Sequence, residues 1–334
     1  MTSLVVQTAF LGDVVLSTPL LETLAAASGP VDVVTTPAAT PLLETHAAVR
    51  HVIPYDKRGA DRGLSGLRRL ADRLRAEHYA VAYLPHRSLR SAALAYLAAV
   101  PRRIGFRDGW RRFYTEAVPR PTTGHEIDRL LALAGVAGDA QRRPSLCLTA
   151  DDASGAAAVL REAQIDPPFV ALAPGAVWGT KRWPGYAELA RRLAPRIAVV
   201  VVGSRDDAPL GQAMASVGPG GRPVANACGR LTLRQTAALI GRAAVLVTND
   251  SAPLHLAQAV GTPTVALFGP TIPAFGFGPR APRDRVLERA LDCRPCSPHG
   301  PATCPLRHHR CLTGLAVEQV LTAIEETGAL HRRD

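Results

Sequence analysis

The stretch TNDSAPLHLAQAVGTPTVALFGPT, residues 248–271, decides the fold class of this chain. The residues just before it, 243–247, are apolar without alternation, which predicts a strand buried on both faces of a parallel sheet. Asp250 or Ser251 can cap the helix that follows, and a second apolar run then ends at Phe268. A strand, a helix and another strand in this order predict a parallel α/β sheet. Its carboxyl edge suits an anionic ligand, although an ordinary strand-to-helix turn explains the stretch equally well.

The size and composition of the chain favour two domains without a membrane span. It contains 334 residues, 47% of them hydrophobic, which is enough to bury more than one core. No apolar run approaches the roughly 18 residues of a membrane-spanning helix. The N-terminus has no basic stretch and Asp13 interrupts its apolar part, which argues against a secretory signal. We therefore expect a cytoplasmic protein.

The net charge of +11 is concentrated in one part of the chain. Residues 50–120 contain 16 Arg or Lys and 6 Asp or Glu, a balance of +10. Such a segment implies an anionic partner: nucleic acid, phospholipid headgroups or a phosphorylated substrate. The alternative is a solvated helix face, and the stretch LRRLADRLRAEH at residues 67–78 fits that alternative.

Strand and helix patterns alternate through both halves of the chain. In the second half they predict a doubly wound parallel sheet in a domain of residues 161–334. Its predicted strands are 169–173, 197–202, 224–227 and 243–247, and its predicted helices are 186–193, one from the Thr232 cap to Ile240, and a final one over 315–327.

The first half repeats this pattern, less clearly, as a domain of residues 1–160. Strands are predicted over 3–10, 31–35 and 81–84, and a helix over 14–27. Thr123 and Glu126 form a capping-box pattern that predicts another helix, which Gly135 can end. Prolines and polar clusters in residues 136–168 predict the linker.

Asp13, in FLGDVVLSTP at residues 10–19, lies where the first strand meets the first helix. A carboxylate at this sheet edge can act as a general base. Asp is also a favoured helix cap, and its position alone favours capping.

The segment APGAVWGTKRWPGYAEL, residues 173–189, follows another strand, and its glycines allow a ligand to approach the backbone. The chain contains 37 Arg but only two Lys, Lys57 and Lys181. A Lys at this edge therefore indicates a need for a compact ammonium group, with chance retention as the alternative. His255 lies four positions after Ser251 on the same helix face, where a lone His is more often a core residue.

Four cysteines follow the pattern C-x2-C-x7-C-x6-C near the C-terminus: Cys293, Cys296, Cys304 and Cys311. In a cytoplasmic chain this pattern favours a small structural zinc site over disulfides. The spacing matches no common zinc finger, and a nearby His could replace one Cys. Other nucleotide motifs are absent: there is no D-x-D pair, no G-x-G-x-x-G after the first strand and no P-loop.

Taken together, LGDVVLSTP, PGAVWGTKRWP, TNDSAPLHLAQAVGTPTVALFGPT and CPLRHHRCL resemble glycosyltransferase family 9, the ADP-heptose:lipopolysaccharide heptosyltransferases, and most of all its heptosyltransferase II branch. The motifs follow the family's order across almost the whole chain. The resemblance implies a GT-B fold, in which an N-terminal Rossmann-like domain binds the acceptor and faces a C-terminal one that binds the nucleotide sugar. It also implies an inverting, metal-independent transfer of heptose from ADP-heptose to the lipopolysaccharide inner core, with no cofactor required for catalysis.

The resemblance also assigns roles to individual residues. Asp13 matches the family's proposed base, and Lys181 matches its diphosphate-binding lysine. Ala252 replaces the usual Gly in the donor-binding N-D-[ST]-G-x-x-H segment, so its methyl group could crowd the donor. The donor site is expected to include Gly175, Thr180, Lys181, Gly203, Ser204, Asp250, Ser251, Ala252 and His255, and the acceptor site Gly12, Arg102, Arg103, Arg111 and Arg112.

We therefore expect a soluble glycosyltransferase at the inner face of the cytoplasmic membrane, where the basic stretch meets a phosphorylated acceptor and anionic lipid. One alternative is a family member that transfers another sugar to a different envelope glycan. Another is a basic RNA-binding protein with a zinc knuckle. That alternative explains the charge and the cysteines but not the other motifs, and the sequence lacks interleaved aromatic residues for base stacking.

Overall fold

The computed structural model describes residues 2–139, 141–215 and 221–330. The chain divides into two compact units, Met1–Cys147 and Leu148–Asp334. Each unit contains one six-stranded sheet in which every strand pair is parallel. The α/β class with two doubly wound sheets is therefore confirmed.

Six strands form the sheet of the first unit: β1 (Ser3–Val6), β2 (Val31–Thr35), β3 (Val49–Pro54), β4 (Val81–Leu84), β5 (Arg102–Phe106) and β6 (Glu116–Val118). Their order is β3-β2-β1-β4-β5-β6, the order of a dinucleotide-binding sheet. Strands β1 and β2 are buried along their whole length, as expected for strands that are covered on both faces. In this order the connections change direction between β1 and β4, where a ligand crevice is expected at the carboxyl edge.

Helices cover both faces of the first sheet: α1 (Leu11–Leu16), α2 (Thr18–Ser28), α3 (Thr40–Leu43), α4 (Gly63–Ala76), α5 (Leu89–Leu97) and α6 (Glu126–Leu131). Helix α4 buries Leu67, Leu70 and Leu74 in the core and leaves its arginines exposed. In this part of the basic stretch, the solvated helix face is therefore the correct interpretation. Helices α2 and α6 pack against a second hydrophobic core of this unit, separate from the core that α4 covers.

The second unit repeats the same strand order. Its strands are β7 (Phe169–Ala173), β8 (Ala198–Val201), β9 (Val224–Asn226), β10 (Val245–Asn249), β11 (Thr264–Phe268) and β12 (Arg285–Glu288). They lie in the order β12-β11-β10-β7-β8-β9, so the connections change direction between β7 and β10. Strands β7, β10 and β11 are buried along their whole length, and β10 begins at Val245, two residues after the start of the apolar run that predicted it.

The helices of the second unit are α7 (Ala150–Glu162), α8 (Tyr186–Leu193), α9 (Ala208–Ala215), α10 (Leu233–Ile240), α11 (Ala252–Val260), α12 (Arg310–Thr313) and α13 (Val317–Glu326). Thr232 caps α10, as predicted, and its hydroxyl accepts the Gln235 N–H. Helix α8 buries Leu189 and Leu193 beside Trp183 in the larger core of this unit. No helix in the described part of the chain is long and apolar enough to cross a bilayer.

The first strand and helix differ from the prediction. The strand predicted over 3–10 ends at Val6, and the helix predicted over 14–27 is divided into α1 and α2 at Ser17. Pro19 explains the division, because it has no N–H to continue the hydrogen-bond ladder of α1.

The region predicted as a linker, 136–168, contains helix α7. The Thr149–Asp152 capping box begins this helix, and Asp152 pairs with Arg234 of α10 at 3.0 Å. Because α7 packs on α10, the units divide between Cys147 and Leu148 rather than at the predicted 160/161 boundary.

Helix α6 begins differently from the predicted capping box. His125, not Thr123, occupies the N-cap position, and its ring accepts the Ile127 N–H. Gly135 follows the helix in the left-handed conformation, as predicted.

Candidate functional site

A largely buried ion pair lies at the carboxyl edge of the second sheet, where β7 and β10 adjoin. Lys181 ends the loop after β7, and Asp250 follows β10 directly. The Lys181 ammonium lies 2.7 Å from Asp250 Oδ2, and the two side chains are only 13% and 11% exposed. Thr271, after β11, donates its hydroxyl hydrogen to the same carboxylate oxygen at 2.6 Å. Three loops therefore bring one cation, one carboxylate and one hydroxyl together.

Asn249 fixes the two loops that carry this pair. Its side-chain amide donates to the Pro174 carbonyl at 2.8 Å and accepts the Trp183 N–H at 3.1 Å. Asn249 is fully buried, and each of these contacts crosses from β10 to the loop after β7. Neither Asn249 nor Thr271 was among the predicted site residues. Asn249 is the first residue of the N-D-[ST]-G-x-x-H segment, which could have identified it, whereas Thr271 offers only its position shortly after an apolar run.

The helix terminus beside the pair differs from the predicted cap. Ser251 occupies the N-cap position of α11, but its hydroxyl donates to the Asn249 carbonyl at 3.4 Å and caps nothing. Asp250 pairs with Lys181 instead. Pro253 has no N–H and the Leu254 N–H bonds to the Ser251 carbonyl, so among the described residues of this turn the N–H groups of Ser251 and Ala252 remain for a ligand.

His255 is buried on α11, close enough to Lys181 and Asp250 for both charges to affect its pKa. Burial lowers its pKa, the nearby Asp250 carboxylate opposes that change, and the Lys181 ammonium adds to it. Its Nδ1 lies 3.3 Å from Gln258 Oε1, and the Gln258 amide donates to the Gly278 carbonyl at 3.1 Å. Since Gln258 presents an oxygen, the Nδ1 of His255 carries the hydrogen, and the neutral ring keeps its Nε2 as an acceptor.

The other residues predicted for the donor site have intramolecular contacts. A Cβ atom on Gly175 would lie 2.4 Å from Asp207 Oδ1, and one on Gly203 would lie 2.8 Å from the Asp207 side chain. Ser204 donates its N–H and its hydroxyl to the same Asp207 at 2.9 and 2.7 Å. The Thr180 hydroxyl bonds to the Pro301 carbonyl. Close packing around Asp207 therefore accounts for both glycines, and their contact with a donor stays a prediction.

Asp13 lies in the first turn of α1, at the carboxyl edge of the first sheet. Phe10 occupies the N-cap position, and Asp13 Oδ2 accepts the Phe10 N–H at 3.1 Å from the third position of the helix, so Asp13 makes a capping contact without being the predicted cap residue. Burial raises the pKa of Asp13 to about 6, the nearby Glu126 carboxylate adds to the rise, and the Phe10 N–H and Arg120 oppose it. A capping contact alone lowers the pKa of a carboxyl group, so it does not explain the raised pKa of Asp13. Gly12, its neighbour, is buried.

Glu126 is held in a fixed position near Asp13 by two arginines. Arg120 lies 2.6 Å and Arg129 3.5 Å from its carboxylate, and Glu126 is 5% exposed. Arg120 also stacks over the Phe106 ring at 4.9 Å. The capping-box pattern had selected Glu126 for a different reason, so its position near Asp13 was not predicted.

The four arginines predicted for the acceptor divide into two pairs. Arg102 pairs with Glu116 at 2.9 Å, and Arg103 donates to the Phe113 carbonyl at 2.7 Å. Arg111 and Arg112, together with Arg107, instead line an open cavity of about 630 Å³ that also contains Tyr114 and Thr115. Within the described residues, no hydrogen bond or ion pair engages these three guanidinium groups. This group of side chains, which we call the arginine groove, is the better candidate for anion binding.

The cysteine-rich segment, residues 293–311, lies against the donor-site loops. Cys293 Sγ and His308 Nε2 are 4.0 Å apart, and Cys304 Sγ accepts the His309 N–H at 3.4 Å, which lowers the pKa of the Cys304 thiol. Over the described ranges, no three His, Cys, Asp or Glu side chains are arranged to hold a metal ion. The four thiols as placed here therefore do not form the predicted tetrahedral site, and zinc binding by Cys293, Cys296, Cys304 and Cys311 stays a prediction.

Known proteins are similar to this chain in sequence and in architecture. The sequence profile of glycosyltransferase family 9 (heptosyltransferase) matches residues 67–305. Lipopolysaccharide heptosyltransferase 2 of Escherichia coli K12 is 30% identical over 294 residues, which cover 82% of this chain and 84% of that protein.

Two solved structures extend the match to nearly the whole chain. The structure of E. coli ADP-heptose lps heptosyltransferase II superposes with a TM-score of 0.79 at 28% identity and covers 99% of this chain and 98% of its own. A glycosyltransferase family 9 structure from Veillonella parvula, 24% identical, covers 98% and 96% with a TM-score of 0.84, and it supports the fold alone. The predicted GT-B fold class is confirmed. The chain belongs to glycosyltransferase family 9, the heptosyltransferases.

Proposed function

We propose that this glycosyltransferase transfers heptose from ADP-heptose to the inner core of lipopolysaccharide, with inversion at the anomeric carbon and without a catalytic metal. The observation that carries the proposal is the largely buried Lys181 ammonium at the point where the connections of the second sheet change direction. The similarity to E. coli ADP-heptose lps heptosyltransferase II supports both the donor and the acceptor.

Lys181 is suited to bind the donor diphosphate. Its ammonium is largely buried and held by Asp250, so its position is fixed before a ligand arrives. The N–H groups of Ser251 and Ala252 add two donors at the end of α11, where the helix dipole favours negative charge. As the bond between the sugar and ADP breaks, these groups stabilise the charge on the leaving diphosphate. The Ala252 methyl group, where the family usually has Gly, is expected to reduce the space for the donor at this turn.

Asp13 is suited to take the proton from the acceptor. A carboxylate with a pKa of about 6 is ionised at neutral pH and is more basic than an ordinary Asp. In the proposed step the acceptor oxygen forms a bond to the anomeric carbon on the face opposite to ADP. The bond to ADP breaks with its electrons, and the hydroxyl proton passes to Asp13. A single displacement of this kind inverts the anomeric carbon.

The arginine groove is suited to bind anionic groups of the acceptor. The guanidinium groups of Arg107, Arg111 and Arg112 have no internal partners among the described residues, so they keep their donors for phosphate or carboxylate oxygens. The positive charge of residues 50–120 also favours an anionic membrane surface, and we propose that the enzyme works as a peripheral protein at the cytoplasmic face.

The test is a donor-specificity assay with purified protein, a lipopolysaccharide inner-core acceptor and a panel of nucleotide sugars. We expect turnover with ADP-heptose, an inverted linkage in the product and unchanged rates in the presence of EDTA. Turnover with a different sugar would favour the alternative family member. Thermal stabilisation by an oligonucleotide but not by ADP would favour the RNA-binding alternative and contradict the proposal.

A further inference from the structure

The cysteine-rich segment contacts two of the three loops that bring Lys181, Asp250 and Thr271 together, the loops after β7 and β11. On one side, His309 Nε2 lies 2.7 Å from the Thr180 carbonyl, one residue before Lys181, and the Pro301 carbonyl accepts the Thr180 hydroxyl. On the other side, the Cys296 N–H bonds to the Pro270 carbonyl at 2.8 Å, directly before Thr271.

Arg294 strengthens the second of these contacts. Its guanidinium is 4% exposed, donates to the Thr271 carbonyl at 2.7 Å and also bonds to the Gly269 carbonyl. Thr271 in turn donates to Asp250, so this part of the segment positions the carboxylate that holds the ammonium.

The segment also touches the Lys181 side chain itself. Gly300 has a φ of +80°, and a Cβ atom built there would lie 3.3 Å from Lys181 Cε and 3.1 Å from the Pro270 side chain. Its backbone therefore forms one wall along the stem of Lys181, which limits the directions in which the ammonium can point.

We infer that the cysteine-rich segment positions the donor-binding lysine and that His309 is the positioning residue on the Lys181 side. A carbonyl oxygen only accepts hydrogen bonds, so Nε2 of His309 carries a hydrogen and donates it to Thr180. This bond holds the short helical turn Gly179–Lys181, which follows the loop of residues 174–178 after β7. The inference rests on the proposed function, because it takes the ligand of Lys181 to be a nucleoside diphosphate.

Two substitutions at His309 separate the hydrogen bond from the packing. His309→Gln keeps an N–H donor at a similar reach, and His309→Leu removes it with similar volume. His309 has a φ of 48°, and neither replacement is a Gly or Asn, so both bear a similar backbone cost. Arg310→Gln is the matched control, because the described structure shows no partner for that exposed side chain.

The measurements are ADP affinity by calorimetry and the Michaelis constants for both substrates. We expect His309→Leu to weaken ADP binding and to lower kcat/KM for the donor about five- to tenfold, with the acceptor KM and the melting temperature near those of the wild type. His309→Gln and Arg310→Gln should stay within about twofold of the wild type. ADP affinity that is unchanged in the Leu variant, or lowered equally in Leu and Gln, would overturn the positioning role.

Gly300→Ala provides a second test that does not depend on how the Leu variant folds. Its methyl group would press on the Lys181 stem, and a side chain at a φ of +80° would also strain the backbone that forms this wall, so we expect a similar loss of ADP affinity. An affinity equal to that of the wild type would overturn the inference. The wild-type protein separates the two proposals. If it binds no ADP, the proposed function fails and takes the inference with it, whereas normal wild-type binding with unchanged variants refutes only the positioning by this segment.

Discussion

Replacement of Asp13 by Asn should make the enzyme both more stable and nearly inactive. The environment raises the pKa of Asp13 from 3.8 to about 6, mainly because the carboxylate is buried. At about 1.4 kcal/mol for each pH unit, ionised Asp13 costs the folded state about 3 kcal/mol at neutral pH. Asn carries no charge and keeps an oxygen for the Phe10 N–H, so it should avoid most of that cost.

The sign of this effect depends on pH. Because the folded protein binds the Asp13 proton more tightly than the unfolded chain does, this residue lowers stability progressively as the pH rises from about 4 to about 6. Above pH 6 the cost is complete. The Asn variant should therefore exceed the wild type most at pH 8 and lose its advantage near pH 4.

Urea unfolding at several pH values measures this difference, with Asp72→Asn as the control. Asp72 is a carboxylate of the same unit whose side chain is 65% exposed, and its replacement should change the unfolding midpoint little at any pH. In the same preparations, Asp13→Asn should reduce turnover by a factor of roughly 10² to 10⁴. Wild-type kcat/KM should fall about tenfold per pH unit below about pH 6. An Asn variant that is no more stable at pH 8 would refute the stability cost, and one that keeps near-normal turnover would refute the catalytic role.

Three further predictions concern the other candidate residues. Lys181→Ala should weaken ADP binding by about 1.5–3 kcal/mol, with partial recovery in Lys181→Arg, and unchanged calorimetric affinity would exclude the ammonium as a diphosphate ligand. Charge reversal of Arg111 and Arg112 should raise the acceptor KM steeply without changing ADP affinity, whereas Arg103→Ala should mainly lower the melting temperature, because that side chain bonds to backbone carbonyls. Equal kinetic effects at both positions would remove the arginine groove from acceptor binding. Protein purified without chelator should contain about one zinc per chain if residues 293–311 rearrange around a metal, and metal-free protein with four reactive thiols would end that prediction.

Periodicity was enough to predict most of the fold. Strand β7 and helix α8 have the predicted bounds, because an uninterrupted apolar run and an amphipathic repeat each leave a direct pattern in the sequence. Helix α7 was missed because its small Ala residues give a weak amphipathic signal and prolines lie on either side of it.

Contacts between distant segments could not be predicted in the same way. Lys181 and Asp250 are 69 positions apart, and only the strand order brings them together. The sequence singled out both residues, but it gave no reason to pair them. Likewise the sequence does not distinguish Arg102 from Arg111, because each is simply a positive charge in the basic stretch. Only the position of Glu116 in the structure shows that Arg102 has an internal partner.

The ion pair of Lys181 with Asp250 has a consequence for how the two substrates respond to salt. The two opposite charges cancel at long range, so the pair attracts an approaching nucleotide only weakly. Its binding of the nucleotide therefore depends on direct contact and not on long-range electrostatic attraction. The arginine groove has no such internal counter-ion among the described residues, and its attraction for an acidic acceptor extends over about a Debye length, roughly 10 Å at 0.1 M salt. Added salt should therefore weaken the capture of the acceptor much more than that of the donor. The two halves of this chain, similar in strand order, would then differ in ionic sensitivity.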